Sequence, residues 1–189
     1  TMQTIARTIL VDDLTGSAFI TGLVTMGFAP TMLLMSLFGG VAGDRLERRT
    51  LIQATQLVGA VLVLVIGVLI LLDVIHWVHL LIASMAQGAT FAFHMPARQA
   101  VLPKLVGQDK ITNAIALNSG GMAIMTIIAP AVAGVVYAQV GPEAVYFMIA
   151  GLTLLAVVFT GMIPKIPPEV RDKGRSVFGQ MASGFQYVR

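Results

Sequence analysis

Five of the polar side chains within or beside long apolar stretches are candidates to bind a ligand or carry charge. They are Arg7, Asp12, Gln87, His94 and Asn118. A guanidinium stays protonated and only donates hydrogen bonds, an amide both donates and accepts, and a carboxylate or imidazole can exchange a proton. These types allow recognition of a polar small molecule and movement of protons.

Simpler explanations exist for the same residues. Arg7 lies five residues before Asp12, which is about 7.5 Å of helix rise, so its side chain could extend to the outer surface instead of facing a ligand. His94 could be a hydrogen-bonded wall residue. For proton transfer, the sequence leaves Asp12, Asp13, His94 and residues outside this chain as alternatives.

Catalytic and metal-binding signatures are missing from the sequence. The chain has no cysteine, which excludes disulfides and thiolate metal sites. It contains no HExxH, GxSxG or Walker sequence and no histidine cluster with metal-ligand spacing. We therefore predict that the chain is not an enzyme and has no metal, no cofactor and no nucleic-acid partner.

The elements that must position these side chains are membrane-spanning helices. Hydrophobic residues make up 57% of the chain and charged residues 11%, against about 25% charged in soluble domains. Windows without Lys, Arg, Asp or Glu cover 14–43, 50–72, 74–97, 111–142 and 144–164, and a spanning helix needs about 20 residues. The predicted spans are 1–12 (a truncated first helix), 17–40, 50–72, 77–97, 111–139 and 143–163.

The distribution of Lys and Arg predicts the orientation. All the basic residues except Arg7 fall in three segments, 44–49, 98–110 and 164–189. The intervening connections, near 12–17, 73–79 and 139–143, have none. By the positive-inside rule the first three segments and the N-terminus are cytoplasmic, and the protein lies in the cell (inner) membrane.

The spans differ in character. Spans three and six are almost wholly apolar and are expected to be peripheral and to face lipid. Spans four and five carry polar side chains, so with span one they should surround the interior or a cavity. Rows of small residues at Ser84, Gly88 and Ala92 and at Pro130, Gly134 and Ala138 favour close helix packing. Pro30 and Pro130 are expected to kink their helices, either as fixed packing features or as gating hinges.

After span six the sequence is no longer uniformly apolar. PKIPPE at 164–169 breaks the helix, and Val177, Phe178, Met181, Phe185 and Val188 then share one helical face. We expect residues 165–189 to form a cytoplasmic linker with an amphipathic helix at the membrane surface. Gly179 and Gly184 weaken this helix and leave a disordered linker as the alternative.

The connection between spans two and three reads GGVAGDRLERRT, and it carries a family resemblance. Its residues Gly40, Asp44, Arg45, Arg48 and Arg49 resemble the G-x-x-x-D-R-x-x-R-R loop of the major facilitator superfamily. Residues 13–24, 96–119 and 129–134 resemble segments of its enterobactin-exporter-like and multidrug-efflux-like branch. Glu47 and Ala129 stand where many members have glycine.

The resemblance implies a fold and a mechanism. The chain would be an all-α, six-helix bundle, residues 1–164, that forms the N-terminal half of a 12-helix fold of two related halves. The halves would rock around a central site, and the loop from Gly40 to Arg49 would lock one state against the C-terminal half of the same chain. The implied partners are a small-molecule substrate, protons and the lipid bilayer.

The resulting expectation is a secondary transporter that works by alternating access and exports small amphipathic molecules, drug-like or siderophore-like, with proton coupling. Arg7, Asp12, Gln87, His94 and Asn118 are its candidate substrate or coupling residues. The alternatives are a six-helix scaffold or channel subunit that does not transport, and a membrane-embedded enzyme.

Overall fold

The structure is a computed structural model that describes residues 2–45, 47–107 and 110–163, without the side chains of 38–45 and 104. The described residues form seven α-helices: α1 (Met2–Thr15), α2 (Ala18–Met26), α3 (Phe28–Arg45), α4 (Arg48–Leu71), α5 (Trp77–Val106), α6 (Ile111–Gln139) and α7 (Pro142–Gly161). The predicted linker at 165–189 and its amphipathic helix lie outside the described residues.

Four helical stretches of the described chain are long and apolar enough to cross a membrane: Ala18–Leu37, Arg48–Leu71, Ile111–Gln139 and Pro142–Gly161. The first helix, α1, has 14 residues, fewer than the roughly 20 that a crossing needs. The helix α5 has 30 residues, but polar side chains such as Ser84, Gln87 and His94 lower its hydropathy. The chain is thus an all-α multi-pass membrane protein. Four stretches of its described residues meet the length and hydropathy of a membrane span, and the count of six spans stays a prediction.

The predicted second span is divided between α2 and α3. Ser17 starts α2, where its Oγ accepts a hydrogen bond from the Ile20 N–H at 3.5 Å. The helix is interrupted at Gly27, and Pro30 lies in the first turn of α3, where its missing N–H costs little. In a continuous helix the Met26 carbonyl would accept a hydrogen bond from the N–H of residue 30, which proline lacks. The break between α2 and α3 falls at this point, because Met26 is the last residue of α2. At Pro130, in contrast, α6 continues without interruption.

One row of small residues packs two helices together, and the other does not. Ser84, Gly88 and Ala92 are all buried. A Cβ on Gly88 would overlap the main-chain carbonyl of Phe28, so only glycine allows α3 to lie this close to α5. A Cβ on Gly134 would meet nothing within 4 Å, so packing among the described residues does not require a glycine there.

A second helix pair, α4 and α7, packs closely near both of its ends. A Cβ on Gly67 of α4 would lie 3.3 Å from side-chain atoms of Tyr146 and Phe147. At the other end, the Gln53 Nε2 donates to the Val157 carbonyl at 3.3 Å. The main buried cluster joins α1, α2, α4, α5, α6 and α7 through residues such as Ala6, Val63, Ala83 and Tyr146.

The orientation can be tested by labelling, because the chain has no cysteine of its own. Glu47→Cys lies between α3 and α4, and Val74→Cys lies in the exposed α4–α5 connection. Val74 is preferable to His76, whose Nδ1 accepts the Val78 N–H and caps α5. We expect an impermeant maleimide to label Val74→Cys from outside and Glu47→Cys only in inverted vesicles, because the basic residues flank position 47.

Detergent-solubilised protein is the control for this experiment, since both cysteines should then react. Labelling of the two positions from the same side of intact membranes would contradict the predicted topology.

Candidate functional site

Arg7 is buried in the bundle and contacts α5. Its side chain is 4% exposed, and its Nη1 donates a hydrogen bond to the Gln87 Oε1 at 3.2 Å. The Gln87 Nε2 in turn donates to the Oε1 of Gln3. Gln3 lies one helical turn before Arg7 on α1, so both face the same side. We refer to Gln3, Arg7 and Gln87 as the α1–α5 polar cluster.

This cluster adjoins a cavity of about 190 Å³ between α1, α4, α5 and α7. Gln3 and Gln87 are part of its wall. The other polar wall residues are Gln56, Thr90, His94 and Thr153, and the larger apolar ones are Leu62, Val63, Phe91 and Ile149. The cavity therefore offers a polar side near Gln87 beside an apolar surface, a combination typical of small-molecule sites.

His94 lies on the cavity wall and is held by α4. Its Nδ1 is 3.1 Å from the Oγ1 of Thr55, and that hydroxyl is also 2.9 Å from the carbonyl oxygens of Leu51 and Ile52. A hydroxyl has one hydrogen. If the Thr55 hydrogen points to a carbonyl, the hydroxyl accepts from the His94 Nδ1–H, and the neutral ring keeps Nε2 as an acceptor.

Asp12 and Asn118 are not part of this cavity wall. Asp12 is exposed on α1. Asn118 lies on α6, where its Oδ1 accepts a hydrogen bond from the Arg98 Nη2 at 3.0 Å. The acid at the end of α1 that has a described contact is Asp13, whose Oδ2 accepts from the Tyr137 hydroxyl at 2.6 Å.

The structure describes part of the predicted switch loop. The Arg48 side chain is buried, and its Nη1 donates to the Ala100 carbonyl of α5 at 3.1 Å. Arg49 is partly exposed at the start of α4. The side chains of Asp44 and Arg45, like the surroundings of Gly40, lie outside the described residues.

Sequence reasoning missed Gln3, Gln56 and Thr55. Gln3 had a signal, because it stands four residues before Arg7 and so shares its helical face. Gln56 directly precedes the apolar run that predicted a lipid-facing third span. That prediction was incomplete, because α4 and α7 also form part of the cavity wall.

Comparison with known proteins agrees with this architecture. Residues 1–189 match the family model described as transmembrane secretion effector, a family of major facilitator transporters. The chain is 27% identical over 187 residues to macrolide efflux protein A of Enterococcus faecalis, covering 92% of the chain and 54% of that protein. It is 27% identical over 189 residues to macrolide efflux protein A of Streptococcus pyogenes, covering 93% of the chain and 44% of that protein.

The chain thus spans about half the length of the curated relatives that it matches. The family match extends over every residue and includes the loop and the segments in which the resemblance was recognised. The polytopic helical bundle and the match over the full chain lead to one assignment: this chain belongs to the transmembrane secretion effector family of major facilitator transporters.

Proposed function

We propose that the chain is the N-terminal, six-span half of a 12-helix exporter of small amphipathic molecules that works by alternating access. The observation that carries this proposal is the α1–α5 polar cluster beside a cavity with an apolar wall. A charged side chain inside a membrane bundle is costly, and such residues mark substrate or ion pathways. The macrolide efflux function of the relatives supports the direction of transport.

Two further features support alternating access. The helix pair α3 and α5 packs through Gly88 without an intervening side chain, so these helices could move as one rigid unit. In our proposal, the loop from Gly40 to Arg49 locks this unit against the other half of the transporter. The Arg48 bond to the Ala100 carbonyl would fix the base of the loop to α5.

We further propose that export is coupled to the movement of protons. His94 supports it because this titratable group lies on the cavity wall, and histidine is the side chain whose ordinary pKa lies near physiological pH. Asp12, Asp13 and acids of the other half are the remaining candidates.

The direct test is an accumulation assay with the full-length protein, which is expected in the inner membrane. Bacterial cells that lack their own efflux pumps are loaded with a labelled macrolide and with ethidium, and retention is followed over time. We expect lower retention than in vector controls for at least one compound, and we expect a protonophore to abolish the difference.

Retention equal to the vector control for every compound, with normal amounts of protein in the membrane, would favour the non-transporting scaffold. Flux that follows the gradient and ignores the protonophore would favour a channel. Either result would contradict the proposed function.

A further inference from the structure

We infer that Thr55 of α4 is a positioning residue for His94: its hydroxyl keeps the neutral imidazole protonated on Nδ1, so that Nε2 is the atom that exchanges a proton with the cavity. This inference deepens the proposed function and rests on it for its physiological meaning. The tautomer itself follows from contacts between described residues and can be measured without transport.

The Thr55 hydroxyl has three possible acceptors for its one hydrogen. Its Oγ1 lies 2.9 Å from the carbonyl oxygen of Leu51, 2.9 Å from that of Ile52 and 3.1 Å from the His94 Nδ1. If the hydrogen pointed to Nδ1, both carbonyl oxygens would face the lone pairs of the hydroxyl oxygen with no hydrogen between them. Pointing the hydrogen to a carbonyl removes one of these repulsive contacts. The side chain is 9% exposed, so water offers the hydroxyl little alternative.

Three other threonines in apolar helices show the same arrangement. The hydroxyls of Thr90, Thr126 and Thr153 each donate to the carbonyl four residues earlier, at 2.7, 2.8 and 2.7 Å. For Thr55 the corresponding acceptor is the Leu51 carbonyl. With its hydrogen used in this way, the Thr55 oxygen can only accept, so the His94 Nδ1 must carry the proton that joins the two side chains.

The second ring nitrogen of His94 is left for the cavity. His94 is part of the cavity wall, whereas Thr55 is not among the described wall residues. The His94 Nε2 has no hydrogen-bond partner among the described residues, and it is not one of the buried atoms that lack a partner, so it is accessible. In a neutral imidazole with a protonated Nδ1, Nε2 is the acceptor.

A single exchanging nitrogen gives the proton one route. The proton binds to Nε2 and leaves from Nε2, while the Nδ1–H bond to Thr55 persists in both states. The side of the membrane with which His94 exchanges is then determined by the side to which the cavity opens. In a transporter with two alternating states, protonation of His94 would thereby be linked to the conformation.

The charged groups around His94 in the described chain do not replace it in this role. Arg98 lies one turn later on α5, Arg48 on α4 and Arg7 on α1, and each donates to an amide or a main-chain carbonyl. The α7 residues of the wall carry no charge, and the described wall contains no Asp or Glu. No carboxylate of this wall therefore competes with Nε2 for the proton.

The test is ¹⁵N nuclear magnetic resonance of the imidazole nitrogens in histidine-labelled full-length protein in lipid nanodiscs. The His94 signals are those that are absent from His94→Gln. At a pH well above the ordinary histidine pKa of about 6.5, we expect a protonated Nδ1 and an unprotonated Nε2. On acidification, the Nε2 signal should move to the protonated position while the Nδ1 signal stays protonated.

Substitutions of Thr55 separate positioning from packing. Thr55→Val removes the acceptor with little change of shape, and it should convert most of the neutral ring to the Nε2–H form, which is the more stable form of a hydrated histidine. Thr55→Ser keeps a hydroxyl and should retain the Nδ1–H form. The matched control is Thr153→Val, which removes a hydroxyl from another wall residue and should leave the tautomer unchanged. In the export assay, Thr55→Val should lower energised export several-fold, and Thr55→Ser should restore it.

An unprotonated Nδ1 in the neutral wild-type ring would overturn the inference, and this spectrum decides the question even if Thr55→Val does not fold. The wild-type tautomer persisting in Thr55→Val would also overturn it. The expected tautomers in a protein whose export ignores a protonophore would support the positioning role of Thr55 and contradict the proposed proton coupling.

Discussion

Replacing Arg7 by leucine in the full-length protein is expected to lower the rate of export at least about tenfold while the amount of protein in the membrane stays normal or rises. On the insertion scale, arginine at a helix centre costs about 2.5–3.5 kcal/mol, whereas leucine is favourable by a few tenths of a kcal/mol. Leucine should therefore not impair insertion. It would remove the cation and the donor to Gln87, so any loss of export reports on function.

The rate should be measured per transporter, by substrate efflux from preloaded cells or vesicles with the protein quantified in the same membranes. Arg7→Ala should behave in the same way, because it also removes the guanidinium. If the side chain only reached the surface, leucine would be tolerated. Full export by Arg7→Leu would therefore rule out a role for this residue in the pathway.

The second large effect is expected for Gly88→Ala, which should reduce the yield of folded protein and lower its melting temperature by several degrees. The added Cβ would overlap the Phe28 carbonyl, a main-chain atom that cannot rotate away as a side-chain end could. Overpacking of this kind costs about 1–3 kcal/mol. The measurement is the thermal unfolding of purified protein, with the detergent-extracted yield as a second readout.

Gly151→Ala is the matched control, because Gly151 is also in a predicted spanning helix and a Cβ there would meet nothing within 4 Å. That variant should keep its melting temperature or gain slightly, as alanine is the better helix former. Equal stability of the two variants would mean that α3 and α5 do not approach as closely as the structure indicates.

Together these two variants separate a functional role from a structural one. Arg7→Leu should affect transport more than folding, whereas Gly88→Ala should affect folding first and transport only as a consequence. The distinction matters for α5, since Gln87 and Gly88 are adjacent in the sequence yet face the cavity and α3 respectively. One helix thus carries both part of the cavity wall and the residues that pack against α3.

Much of the architecture followed from the sequence, because the bilayer imposes simple rules. Apolar helices must be about 20 residues long to cross the hydrocarbon core, and charge-free windows of that length delimit α4, α6 and α7 closely. The family was also recognisable from the short loop around Asp44, where glycines and charges stand at fixed spacing. Arg7 could also be identified as a candidate from the sequence, because a permanent charge within an apolar helix is costly and usually has a function.

The tertiary structure decided which of the polar residues meet. Hydropathy does not specify the rotation of each helix about its axis, which depends on packing against neighbouring helices. Gln87 and His94 share the cavity wall and Arg7 joins it through Gln87, whereas Asn118 contacts Arg98 elsewhere. The contributions of Gln3, Gln56 and Thr55 depend on contacts with helices distant in sequence, so periodicity along one helix could not reveal them.

The sequence by itself thus determined a polytopic helical protein of the major facilitator type with a charged residue in its first helix. Only the tertiary structure placed that charge against Gln87 and left the Arg7 Nε, the Ser84 Oγ and the Tyr146 hydroxyl buried without partners in the described chain. The physical reason is that the composition of a helix indicates whether it faces lipid or protein. Whether a buried polar group has a hydrogen-bond partner depends on how several helices pack together.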